Sequence, residues 1–134
     1  MAKKLTLRIV TPSRVMYEGE VGMVLLRTKS GDVGILPEHQ PMVTVLDYGV
    51  MKLYDDGNEI KRAAVLGGYA EVGDSIVSVL TDAAEWAEEI DEARAKHAKE
   101  IAERRLASQN ENIDIMRAEL ALKRALVRLN VNNL

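Results

Sequence analysis

The sequence predicts a mainly β domain followed by a smaller α domain. An N-terminal antiparallel β-sandwich of eight to ten short strands is expected over residues 1–86, and a C-terminal antiparallel two-helix hairpin over 87–134. Three observations predict this. From Lys4 to about Leu80, apolar residues alternate or come in short bursts, broken every few positions by Gly, Pro, Asp or Asn. From Asp91 onward Gly and Pro vanish, and Ala, Glu, Lys, Arg and Leu, the strong helix formers, dominate. No helical period that could form the crossovers of a parallel sheet precedes residue 80, so the strands are expected to pair antiparallel.

In the first strand, LTLRIVT, Leu5, Leu7 and Ile9 alternate with Thr6, Arg8 and Val10. MKLYDDGNEIKRAAVLG has the form of a hairpin with its turn at Asp55 to Asn58, and Gly67 and Gly68 in VLGGYAEV mark a tight turn or bulge. SIVSVL completes the series. Asp91 is the N-cap of a first helix, with Glu92 in the first turn where its charge suits the dipole. That helix runs to about Ala107, SQNEN (108–112) is a polar break, and a second helix runs from Ile113 to Val131. Two helices so closely joined pack as an antiparallel hairpin.

The two helices have unequal faces. The first places Ala95, Ala98 and Ala102 on one stripe, which allows close approach but buries little area. The second carries Ile115, Ala118, Leu122, Leu126 and Leu129 on one stripe and Ile113, Met116, Leu120, Val127 and Val131 on another. One alanine-faced partner cannot cover both. Either the second stripe docks on the sandwich, or the helix uses different partners in different states; the sequence leaves both open.

Composition excludes several function classes. There is no Phe, one Trp and four Tyr, so the core is aliphatic and base-stacking platforms are not expected. The absence of Cys removes disulfides, thiol nucleophiles and cysteine zinc sites. The amino terminus MAKKLTLRIV has too brief an apolar stretch for a signal peptide or membrane span, so a soluble cytosolic chain without direct membrane insertion is expected. Net charge is −3, but residues 1–90 carry 14 acidic against 9 basic side chains and residues 91–134 carry 7 against 9. The tail is therefore a surface for an acidic partner or an anionic ligand, and too weakly basic for nucleic acid.

Catalytic motifs are absent. There is no Gly-rich phosphate loop, nucleophile elbow or dinucleotide fingerprint, so an enzyme is not expected. His39 lies between prolines in GILPEHQPM, a rigid exposed turn, and His97 lies in a lysine-rich helix turn; neither belongs to a metal-ligand set. What remains is a constellation at the hairpin's open end. A turn centred near Asn110 places Arg94 opposite Leu126, and Arg124 and Arg128 share a face at i, i+4. Arg94, Arg124 and Arg128 would then converge beside Asp91, a guanidinium cluster suited to a small phosphate-bearing ligand. The same residues also read as solvated ion pairs, such as Asp91 with Arg94, and spacing does not decide between the two.

GDVGILPEHQPMVTVLDYG (31–49), VLGGYAEV and SVLTDAAEWAEEIDEARA (78–95), followed by the helical hairpin, resemble the epsilon subunit of bacterial F-type ATP synthases over essentially the whole chain. The resemblance implies a non-catalytic central-stalk rotor subunit, peripheral to the cytoplasmic face of the cell membrane. Its sandwich would bind the gamma subunit and the c-subunit ring, coupling proton transport to rotation. Its hairpin would extend along gamma toward the alpha and beta subunits and inhibit ATP hydrolysis. Partner contacts are implied for Lys123, Arg124 and Arg128, and for His39 of the sandwich. In some members the compact hairpin binds ATP through Ile/Leu-Asp-x-x-Arg-Ala, which Ile90, Asp91, Arg94 and Ala95 match in full. By the same resemblance, Glu85, Arg124 and Arg128 complete the site. ATP there is a regulatory ligand, with or without magnesium, and no cofactor is implied. The alternative is a freestanding nucleotide-sensing module whose hairpin folds on ATP.

Overall fold

A computed structural model describes residues 3–108 and 114–132. Eight strands form the first part: β1 (Leu5–Val10), β2 (Val15–Val21), β3 (Met23–Thr28), β4 (Gly31–Ile35), β5 (Met42–Asp55), β6 (Asn58–Gly73), β7 (Ile76–Leu80) and β8 (Ala84–Trp86). They make one continuous sheet in the order β2-β1-β7-β6-β5-β3-β4, with β8 added on β6. The sheet folds over itself around a core of Leu5, Leu7, Ile9, Val24, Leu26, Met51, Leu53, Val77 and Val79, each essentially inaccessible to solvent. The aliphatic core follows from a chain almost without aromatic rings.

Two expectations need correction. The eight strands fall within the expected number, but two of them are long, with β5 spanning 14 residues and β6 spanning 16. Pairing is also not wholly antiparallel, because β1 runs parallel to β7, Leu7 opposite Val77 and Ile9 opposite Val79. No crossover helix is needed; the connection is the rest of the sandwich, β2 to β6, and that is why helical periodicity could not reveal it.

The β5–β6 hairpin turns where expected, Asp55 pairing with Asn58 across Asp56 and Gly57, both at positive φ. Gly67 and Gly68 lie inside β6, not between strands, at φ 80° and 107°. A Cβ on Gly68 would stand 2.1 Å from the carbonyl oxygen of Leu80, so β7's end approaches a backbone that only glycine can offer.

A 3₁₀ turn (Ala87–Glu89) leads into α1 (Glu92–Ala107) and α2 (Ile115–Val131). Asp91 caps α1 by accepting the Arg94 N–H at 3.0 Å, and Asp114 caps α2 by accepting that of Arg117 at 3.1 Å. The second helix thus starts later than Ile113, which lies with most of the SQNEN break outside the described residues. The helices pack antiparallel on alanines: Ala95 and Ala102 of α1, Ala118 and Ala125 of α2, all buried.

The hairpin is closed on the sandwich. Val127 and Val131 join Ala64 and Leu66 of β6 in a second apolar cluster, flanked by Tyr48, Val50, Ala83, Ala87 and Ile90. Polar contacts border it: Arg62 donates to the Val131 carbonyl at 3.3 Å, and Lys123 lies 3.7 Å from Asp47. The second stripe of α2 is therefore only half docked. Its near end is buried, while Met116 remains 74% exposed and Leu120 38% exposed.

Candidate functional site

The site sits where the β8 strand, the linker and both helices meet. Its position follows from local chemistry. Trp86 is anchored in the sandwich core, and Glu89 accepts its backbone N–H at 2.9 Å, which closes the 3₁₀ turn. Ile90 then seats in the second apolar cluster and Asp91 caps α1. The linker is thus pinned on one side by packing and on the other by capping, leaving its carboxylates along a cleft.

That cleft has a volume of about 390 Å³ and is lined by Glu85, Glu89, Asp91, Arg94, Ala95, Ala98 and Arg128. Small-molecule sites fall in the range of roughly 300–1,000 Å³. Across it the Arg128 Nε donates to Glu85 Oε1 at 2.5 Å, joining α2 to β8 over 43 residues of sequence. Glu89 is also held by Arg14 of the β1–β2 turn, Nη2 to Oε1 at 2.7 Å. The Arg14 guanidinium, and then the Trp86 N–H, keep the Glu89 carboxyl below its ordinary range against the opposing effect of burial. Among the described residues the Arg94 guanidinium has no carboxylate within ion-pair distance, although it lines the cleft.

The structure brings together Glu85, Asp91, Arg94, Ala95 and Arg128 of the residues singled out in the sequence. Ile90 does not line the cleft; it braces it from the apolar side. Arg124 is exposed and does not line the cleft, whose guanidiniums are those of Arg94 and Arg128. Lys123 is spent on the sandwich, paired with Asp47 and 5.7 Å over the Tyr48 ring. His39 is half-buried, not fully exposed, its Nδ1 2.7 Å from the Gln40 carbonyl, and remote from the cleft in sequence and contacts. Sequence reasoning missed Glu89, Ala98 and Arg14. Ala98, four residues beyond Arg94, could have been placed by helical spacing, but Glu89 lies in the 3₁₀ turn before the helix, and Arg14 lies 75 residues from its partner with nothing local to signal the pairing.

Among the described residues no cluster of His, Cys, Asp and Glu has the geometry to hold a metal ion, and no helix is long and apolar enough to cross a membrane.

A folded-over β-sheet with a closed helical hairpin and an ionic cleft at their junction defines a small two-part chain of the β-sandwich and helical-hairpin class. Known proteins place it further. A family model described as the ATP synthase Delta/Epsilon chain beta-sandwich domain matches residues 4–87, and one described as the long alpha-helix domain of the same chain matches residues 88–132. The chain belongs to the ATP synthase delta/epsilon chain family. It is 49% identical over 129 residues to the ATP synthase epsilon chain of Alkaliphilus metalliredigens, covering 96% of each chain. It is 47% identical to that of Bacillus velezensis, over 96% of this chain and 97% of the relative. Among solved structures it is similar to a chain in the cryo-EM structure of the Euglena gracilis mitochondrial ATP synthase OSCP/F1/c-ring. The TM-score there is 0.83 at 25% identity, covering 98% of this chain and 82% of the other.

Proposed function

We propose that the chain is a non-catalytic rotor subunit in the central stalk of a proton-translocating F-type ATP synthase, held at the cytoplasmic face of the cell membrane by its partners. The sandwich binds the gamma subunit and the c-ring and carries rotation between them. An apolar row supports a protein partner there: the exposed Val45 and Tyr69 and the half-buried Leu80 are lateral neighbours on β5, β6 and β7, with Val43 beside them 70% exposed. The hairpin, when extended toward the alpha and beta subunits, inhibits ATP hydrolysis. Extension would free Lys123 and Arg128 from Asp47 and Glu85 and present them with Arg124 to acidic surfaces.

The closed hairpin binds ATP as a regulatory ligand. The observation that carries this is the cleft itself, whose walls come from β8, the linker, α1 and α2. They stand together only while the hairpin lies on the sandwich. A ligand confined to that form stabilises it by its differential affinity, about 2.7 kcal/mol at a hundred times its Kd. That exceeds an ion pair such as Arg128 with Glu85, a third exposed and worth about 1 kcal/mol or less. ATP is thus able to shift the balance toward the closed form.

The test is ATP hydrolysis by the assembled synthase with the full chain or with residues 91–134 deleted. Deletion is expected to relieve inhibition while gamma binding persists. Unchanged hydrolysis together with no binding to gamma would overturn the proposal, and failure to co-purify with other synthase subunits would leave the freestanding nucleotide sensor in its place.

A further inference from the structure

The charge of the cleft is at odds with an anionic ligand. Its lining holds three carboxylates, Glu85, Glu89 and Asp91, against two guanidiniums, Arg94 and Arg128. An anion entering such a lining meets net negative charge. Two of the carboxylates are occupied from within the site: Arg128 pairs with Glu85, and Asp91 Oδ1 accepts the backbone N–H of Arg94 at the start of α1, where the helix dipole favours it. Glu89 is the excess charge, and the group that answers it comes from outside the cleft and outside the hairpin.

That group is Arg14. The turn that carries it is tightly closed: the Thr11 N–H donates to the Arg14 carbonyl at 2.9 Å, the Arg14 N–H donates to Thr11 Oγ1 at 3.2 Å, and Thr11 is buried. The backbone of Arg14 is therefore fixed on the sandwich, and its guanidinium reaches Glu89 at 2.7 Å. We propose that Arg14 is a positioning residue of the nucleotide cleft, which neutralises Glu89 and so makes the lining electrically able to accept a polyphosphate. This rests on the reading of the cleft as an ATP site and extends it to a residue of the β1–β2 turn. It gives the sandwich an electrostatic share in a site otherwise built by the linker and hairpin, besides the share of Glu85.

The proposal separates from mere anchoring of the linker by the sign of one substitution. If Arg14 acts by cancelling charge, Glu89→Gln, which keeps the acceptor for the Trp86 N–H, removes the excess charge and tightens ATP binding. If the pair acts only as an anchor, the same substitution weakens it. Calorimetric titration of the full chain with ATP at low salt is expected to show Arg14→Ala binding about three- to fivefold more weakly than wild type. In 0.5 M NaCl the difference should shrink, because the screening length falls to roughly 4 Å. Arg14→Lys should restore most of the loss. In the Glu89→Gln background, Arg14→Ala should bring binding back to about the wild-type level, because the lining is again neutral. Equal binding by wild type and Arg14→Ala, or weaker binding by Glu89→Gln, would overturn the assignment while leaving the ATP site intact; absence of binding by wild type would remove the ATP site itself, and the assignment with it.

Discussion

Arg128 of α2 donates its Nε hydrogen to Glu85 of β8, and this single pair ties the last helix to the last strand of the sandwich across the mouth of the cleft. Both side chains are about one-third exposed, so the pair biases the closed form without locking it. The weight of closure falls on the apolar cluster beneath.

Arg128→Ala is expected to raise the open population modestly, by up to about fivefold. Because the chain has no native cysteine, a dye pair on engineered cysteines in the sandwich and α2 reads this directly as a distance.

Val131→Ala should act more strongly. Val131 is fully buried between α2 and the sandwich, and losing two methyl groups there costs about 2 kcal/mol. Limited proteolysis should cut the hairpin faster, while the thermal midpoint of the sandwich stays put, because its own core is a separate cluster.

Acid should open the hairpin. The Asp47 carboxyl is held below its ordinary range chiefly by the Tyr48 N–H, with Lys29 and Lys123 adding to it and burial opposing. Of these only Lys123 belongs to the hairpin, so only its share of the depression is linked to closure; that share is fully present above the ordinary carboxylate range and lost as pH falls through the depressed one. The dye-pair distance should hold from neutrality to about pH 5 and lengthen below about pH 4. Asp47→Asn, which cannot ionise and meets Lys123 without charge, should flatten part of that acid response.

Gly68→Ala should destabilise the sandwich strongly and lower its thermal midpoint. The added Cβ meets backbone at 2.1 Å and φ is 107°, a loss of about 3 kcal/mol or more. Gly57→Ala, also at positive φ but in open space, should cost only about 1 kcal/mol. Thermal denaturation separates the two.

Much of this was legible in the sequence, for identifiable reasons. The Asp56–Gly57 turn, the Asp91 cap and the alanine seam are local devices whose chemistry shows in a few neighbouring residues. The parallel β1–β7 pair and the Arg14–Glu89 contact join residues about seventy positions apart, and no spacing rule encodes them. For Arg124, i, i+4 spacing gives the face of Arg128 but does not say how far along the helix the cleft extends, and in the closed form its side chain stands outside the lining. Val127 and Val131 were seen as a surplus apolar stripe, and only the docked form shows that the surplus ends halfway, at Leu120.

The central claim is that the closed hairpin holds ATP, and Arg94 is its sharpest probe, since it lines the cleft without an ion-pair partner of its own among the described residues. Isothermal titration of wild type and Arg94→Ala with ATP tests it most directly. Saturable binding is expected for wild type and binding about tenfold weaker or worse for the variant, the scale of a lost charge-assisted contact. No heat from wild type at millimolar ATP, or equal affinity for the two, would contradict it.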